Sequence, residues 1–197
     1  MKRTILFLLA LLPGVAYSEP LNYDYVYLSA NDTETDGGNE DSGETFGGFW
    51  SFADTLHLFA SYDDAGAYTG AGSNPAWRYE TRTLRAGIGG HYLIGKRMMI
   101  APSIAVLRAD REISAPAWTA PLESTDTGYG AQLDLRYAVT NWFELTAGGR
   151  YSRVFDAGNE EFVGGLLFHP TDWLALGALY HEGEDRSSTE LTVRWYY

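Results

Sequence analysis

The stretch His181-Glu182-Gly183-Glu184-Asp185-Arg186-Ser187-Ser188 gathers an imidazole, carboxylates and hydroxyls close together in the chain. Those are the groups of a hydrolase, in which a base takes the proton of a hydroxyl and an acid orients the base. Asp63 and Asp64 are adjacent carboxylates that could divide acid and base roles between them. The segment from Asp32 to Glu44 starts like a calcium loop, with Asp32, Glu34, Asp36 and Gly37 in register. The closing bidentate acid should then stand at position 43, which is Gly43, and Glu44 is one residue late. None of these sets completes a motif. The sequence assigns no catalytic residue, cofactor or metal site, and leaves the 32–44 segment as an acidic loop able to hold divalent cations loosely.

What positions these groups is a chain built for export and for strands. Lys2 and Arg3 precede an apolar run, Ile5–Leu12, and small residues follow at Ala16 and Ser18. That pattern predicts a signal peptide over 1–18, and a run this short is no membrane anchor. The expected mature chain, 19–197, is a single domain without cysteine, so neither disulfides nor a lipid-bearing N-terminal Cys is expected. Removing Lys2 and Arg3 leaves 12 basic residues against 26 acidic ones, and none of the basic ones lies between Glu19 and Trp77. Nucleic acid is excluded as a partner on that balance.

Period-two alternation runs through the mature chain. In "GYGAQLDLRYAV", Tyr129, Ala131, Leu133, Leu135, Tyr137 and Val139 share one face, and Gln132, Asp134 and Arg136 share the other with glycines and Ala138. Turn signals divide the chain into ten strands near 22–31, 45–52, 56–64, 77–94, 98–112, 126–139, 142–155, 160–169, 173–182 and 189–197. Eight strands is the alternative, by loss of a hairpin near 156–170. Short turns at Ala53–Thr55, Gly95–Arg97, Thr140–Asn141 and Pro170–Asp172 alternate with longer polar loops near 32–44, 64–76, 113–125, 156–160 and 183–188. The expected fold is all-β, an antiparallel up-and-down transmembrane β-barrel.

The alternation also sorts the side chains. Trp50, Trp142, Trp173 and Trp195 fall near the short turns or the C-terminus, and Tyr62, Trp77, Tyr79, Tyr129 and Tyr151 near the longer loops, as two aromatic girdles would. Arg78, Arg82, Arg108 and Arg153 extend the lipid-facing phase above the outer girdle, where they could meet lipopolysaccharide phosphates. Asp24, Arg85, Asp134, Arg136, Glu144, Arg150, Glu190 and Arg194, with His57, His91 and Gln132, take the inward phase and are expected to form a charge network in the lumen.

With its export signal, alternating strands, short-turn and long-loop rhythm and closing "LTVRWYY", the chain resembles the small bacterial outer-membrane β-barrels, the OmpA-barrel, OmpX-like and porin-like group. In that group a terminal aromatic preceded by alternating apolar residues is read by the barrel assembly machinery. Leu191, Val193, Trp195 and Tyr197 fit that signal. The resemblance implies the cell outer membrane of a Gram-negative bacterium and contact with outer-membrane lipid and lipopolysaccharide; a monomer is the expectation, with the oligomeric state left open by the sequence. The group includes adhesins, anchors, small pores and a few lipid-modifying enzymes. The adjacent acids Asp63 and Asp64 bring to mind those of ten-stranded outer-membrane proteases, which are much longer. With no wall-binding domain read after Tyr197, a cell-wall anchoring role is not expected. The expectation is a non-enzymatic surface structural or interaction protein with acidic extracellular loops. A narrow passive pore is the first alternative, and a lipid-modifying enzyme or protease the second.

Overall fold

The computed structural model describes residues 21–35, 40–69, 77–115, 120–184 and 186–197. The 1–18 segment lies outside them, as do Asp36 and Gly37. The described chain is eleven strands: β1 (Tyr25–Thr35), β2 (Glu40–Ala53), β3 (Leu56–Thr69), β4 (Trp77–Gly90), β5 (Tyr92–Ile94), β6 (Met98–Ser114), β7 (Leu122–Ala138), β8 (Phe143–Val154), β9 (Ala157–Thr171), β10 (Leu174–Gly183) and β11 (Arg186–Tyr196). β5 continues β4 past a break at His91, whose amide bonds the carbonyl of Thr55 instead at 2.9 Å. The barrel therefore has ten staves. Each pairs antiparallel with its sequence neighbours, β4 pairs directly with β6, and β1 pairs with β11 from Tyr25↔Tyr196 to Thr35↔Arg186. Closure leaves no open edge where the wall must cross hydrocarbon, so every backbone group there has a partner.

The apolar phase faces out. Leu28, Phe46, Leu58, Leu84, Ile104, Leu133, Leu166 and Leu191 are all exposed on the outer wall, while their neighbours in sequence turn inward. A continuous exposed apolar wall of this kind is stable only against lipid. Trp50, Trp142, Trp173 and Trp195 ring the terminal end of the barrel, where Tyr23 and Tyr197 lie, and Tyr62, Tyr129 and Tyr180 stand exposed toward the far end. Tyr79 departs from the expected girdle. It lies in the inward phase of β4, with the guanidinium carbon of Arg111 5.2 Å from its ring centre. The side chain of Trp77 lies outside the described residues.

The far-end connections are shorter than the turn signals suggested, because the strands run on. Asp32, Glu34, Asp41, Glu44 and Asp64 all lie within strands rather than in loops. The expected loop at 156–160 is a two-residue turn in which Phe155 (φ 53°) and Asp156 (φ 56°) both take left-handed conformations, joining Val154 directly to Ala157. Such a turn matches strand twist but normally recruits Asn or Gly. Here the amide of Phe155 is held by the Asp126 carboxylate, and its ring lies 4.2 Å from the guanidinium carbon of Arg111.

The rim is uneven as a result. β6 and β7 are each 17 residues long, well beyond the ~9–11 a tilted crossing needs. β7 pairs with β6 along its whole length but with β8 only from Tyr129 to Ala138. The upper part of β7, from Leu122 to Gly128, projects above the β8–β9 turn with its β8-side edge unpaired.

Candidate functional site

The lumen is the first place to look for chemistry, and it divides into two layers. At the terminal end it is packed with aromatic and apolar side chains. Tyr23 stacks on His91 at 5.1 Å and lies 4.4 Å from the His57 ring, and Phe49 stacks on Phe59 at 5.4 Å. Met99, Leu167, Ala175 and His57 are almost completely buried around them. Glycines on β4 make room for the rings. A Cβ built at Gly89 would come within 2.5 Å of His57 Nε2 and 2.7 Å of the Pro102 carbonyl.

One buried ion pair sits in this layer. Arg136 on β7 donates from Nε and Nη2 to the two carboxylate oxygens of Glu144 on β8, at 2.5 and 2.8 Å. The fork geometry of guanidinium and carboxylate is what permits two bonds at once. Arg136 also donates to the Asn22 carbonyl at 3.0 Å, and His169 Nε2 lies 3.4 Å from Glu144. Arg194 lies over the Tyr25 ring, 4.9 Å from its centre. Asp24 does not belong to this set. Tyr23 and Tyr25 occupy the inward phase, so Asp24 points the other way, and its carboxylate accepts the amide of Ser51.

Toward the far end the lumen is polar. Gln132 donates to Asp134 at 2.7 Å, Arg150 donates to Gln132 and to Glu161 at 3.2 Å each, and His181 lies 3.5 Å from Glu161 and 3.0 Å from Glu190. One chain of polar contacts thus crosses β7, β8, β9, β10 and β11. Glu161 was not foreseen, although its place in the inward phase beside Arg150 was open to the same alternation argument. Arg85 shares this layer with Asp63, Arg150 and Glu161.

The hydrolase reading loses its geometry here. Both ring nitrogens of His181 face carboxylates rather than a serine. Asp63 and Asp64, adjacent in sequence, point to opposite sides of the wall. Asp63 accepts from Thr45 at 2.7 Å in the lumen, and Asp64 faces out, 3.7 Å from Arg82 Nε. No group of three or more His, Asp or Glu side chains placed to hold a metal ion occurs among the described residues.

Arg78, Arg82, Arg108 and Arg153 all face outward and are exposed. The first three stand among carboxylates. Glu80 contacts Arg78 and lies 3.5 Å from Arg82, and Asp110 lies 3.8 Å from Arg108. Cross-strand register sets Glu44, Asp64, Arg82, Asp110 and Thr125 side by side, so this part of the outer collar is of mixed sign, with more carboxylates than guanidinium groups, instead of a cationic belt. At the other end, Leu191, Trp195 and Tyr197 face lipid, while Tyr196 turns into the lumen, 5.3 Å from Tyr25.

No protein-family model and no curated protein matches the chain. Solved structures do. The transport unit of the autotransporter AIDA-I from Escherichia coli is 12% identical, with a TM-score of 0.55 over 94% of each chain. The translocator domain of autotransporter NalP from Neisseria meningitidis is 11% identical, with a TM-score of 0.53 over 89% of each. Ail, the attachment invasion locus protein of Yersinia pestis, is 11% identical, with a TM-score of 0.43 over 87% of this chain and 95% of its own. At such identities the likeness is one of architecture: the chain has the ten-stranded, closed antiparallel fold of a bacterial outer-membrane β-barrel.

Proposed function

We propose that this protein is a non-conducting, non-enzymatic surface protein of the outer membrane, in which a blind barrel carries a projecting sheet toward extracellular partners. The observation that supports it best is the height difference between β7 and β8. A strand held on one side only, standing clear of the lipid, offers unpaired backbone groups to an extended segment of another protein. Part of the acidic character expected of the loops lies on strand extensions, in Asp32, Glu34, Glu44, Asp64, Glu80, Asp110, Glu112 and Glu123.

The packed layer around Tyr23, Phe49, His57 and Met99 favours this reading over a pore, because it fills the lumen at the terminal end, the periplasmic end in this orientation. Reconstitution in planar bilayers is the test. No discrete steps are expected, and steady channel openings would overturn the reading. Lipid A recovered from cells with and without the protein should have the same mass spectrum, and a protein-dependent change would establish an enzyme instead. Two partners belong to the same proposal. Arg78, Arg82, Arg108 and Arg153 would contact lipopolysaccharide phosphates, and Leu191, Val193, Trp195 and Tyr197 would present the assembly signal.

A further inference from the structure

The free edge of β7 has a definite polarity. Along a strand, the N–H and C=O of one residue point to one neighbouring strand and those of the next residue to the other. Ala138, an inward residue, donates its amide to the Arg97 carbonyl beside β6 at 2.8 Å. Val139, next in the chain and facing outward, donates to the Phe143 carbonyl on β8 at 2.9 Å. The outward residues of β7 therefore bond toward β8. The β7–β8 ladder ends at Tyr129↔Arg153, so Glu123, Thr125 and Thr127 turn their backbone groups to a position that no strand fills among the described residues. Nothing blunts this edge: from Leu122 to Thr127 there is no Pro, no Lys and no bulge in the register with β6.

The side chains on the two faces of the edge define the chemistry that the missing strand should have. On the outer face, register sets Glu80, Glu112 and Glu123 in one cross-strand row. Glu80 has Arg78 and Arg82 beside it, whereas neither Glu112 nor Glu123 has an ion-pair partner among the described residues. Carboxylates directly opposite one another repel, and this row ends at the open edge, where a cation would relieve it. On the inner face, Leu122 stands opposite Ile113 and is 60% exposed. It belongs to the inward phase and lies above the level of the β8–β9 turn, so neither lipid nor the packed layer covers it. An apolar side chain on an added strand would.

We infer that the β7 edge takes an extended segment of another protein in which cationic residues alternate with apolar ones. The cations lie on the outer face, beside Glu123 and the Glu112 row, and the apolar residues on the inner face, beside Leu122. Main-chain bonds to Glu123, Thr125 and Thr127 hold the segment, and the alternation selects it. The inference rests on the docking role proposed for the projecting sheet and adds the chemistry of its occupant.

The test is peptide binding to the full barrel in detergent micelles free of lipopolysaccharide, read by affinity and by amide exchange at Glu123, Thr125 and Thr127. A short synthetic peptide alternating arginine and valine should bind and slow exchange at all three. A glutamate–valine peptide should bind about tenfold more weakly. A peptide of the first composition with its arginines grouped at one end should give no protection, which separates strand addition from bulk attraction to an acidic protein. E112Q/E123Q should weaken the arginine–valine peptide by about fivefold and leave a threonine–valine peptide unchanged. T125P removes an N–H on the free side without touching the β6 ladder, and should abolish protection by any peptide. Equal affinity and protection with the arginine, glutamate and threonine peptides, or with the grouped one, would overturn the assigned occupant and leave the edge a docking strand. No protection by any peptide would overturn the docking role as well. Protection that grows with barrel concentration in the absence of peptide would assign the edge to a second copy and overturn the inference. These comparisons stand on the wild type and E112Q/E123Q even should T125P fail to fold.

Discussion

Arg136 and Glu144 face each other across β7 and β8 through two hydrogen bonds inside a layer that water does not reach, each with only 3% of its side chain exposed. Such a pair contributes little relative to a well-packed apolar pair, but breaking it leaves a bare charge in the barrel. Either R136M or E144Q should therefore destabilise the folded barrel by about 3–5 kcal/mol. R136M/E144L should cost less than the two single changes together. Urea unfolding in lipid vesicles, followed by tryptophan fluorescence, measures all three.

The glycines divide into two kinds, and alanine scanning should separate them. G89A pushes a methyl into His57 and the Pro102 carbonyl, and should cost about 1–3 kcal/mol. G149A and G164A place theirs in open space on the outer wall and should change stability by less than about 0.5 kcal/mol. The same unfolding assay reads the contrast.

Emptying the packed layer should turn the barrel into a channel. Tyr23, Phe49 and Met99 occupy the terminal end of the lumen. Y23A/F49A/M99A should give discrete conductance steps in planar bilayers where the wild type gives none. A silent triple variant that still folds would mean that the upper polar network alone closes the lumen.

The C-terminal strand should show two separable defects. Deleting Tyr197, or the change W195S/Y197S, alters only lipid-facing positions and should lower the amount of protein inserted in the membrane. Y196S removes a ring from the lumen, where it meets Tyr25 and His169, and should leave insertion near normal while lowering the unfolding midpoint. Quantifying membrane-fraction protein beside unfolding curves distinguishes the two.

The stave count, the closure and the inward placement of Arg136 and Arg150 were legible because a period of two is read directly from sequence. The same rule, applied residue by residue, accounts for what went astray. Asp63 and Asp64 look like a pair only in the linear chain. Asp24 sits between Tyr23 and Tyr25 and must point away from them. Tyr79 differs in phase from Arg78 and so cannot share its face. The Phe155–Asp156 turn was hidden because neither residue advertises a left-handed conformation, and the cue that fixes it, Asp126, lies on another strand. The two kinds of glycine were not separable either, since a glycine that admits a ring, Gly89, and one that faces open space, Gly149, are written with the same letter.

The unpaired upper half of β7 has a mechanical meaning. It is a cantilever, clamped where Tyr129 meets Arg153 and braced along one flank by β6. Load applied at its tip is resisted by that clamp, so the first ladder bonds to fail under a pull would be those between β7 and β8. Backbone amides from Leu122 to Thr127 that point toward β8 should exchange with solvent far faster than those from Leu133 to Ala138, and a bound strand on that edge would slow them.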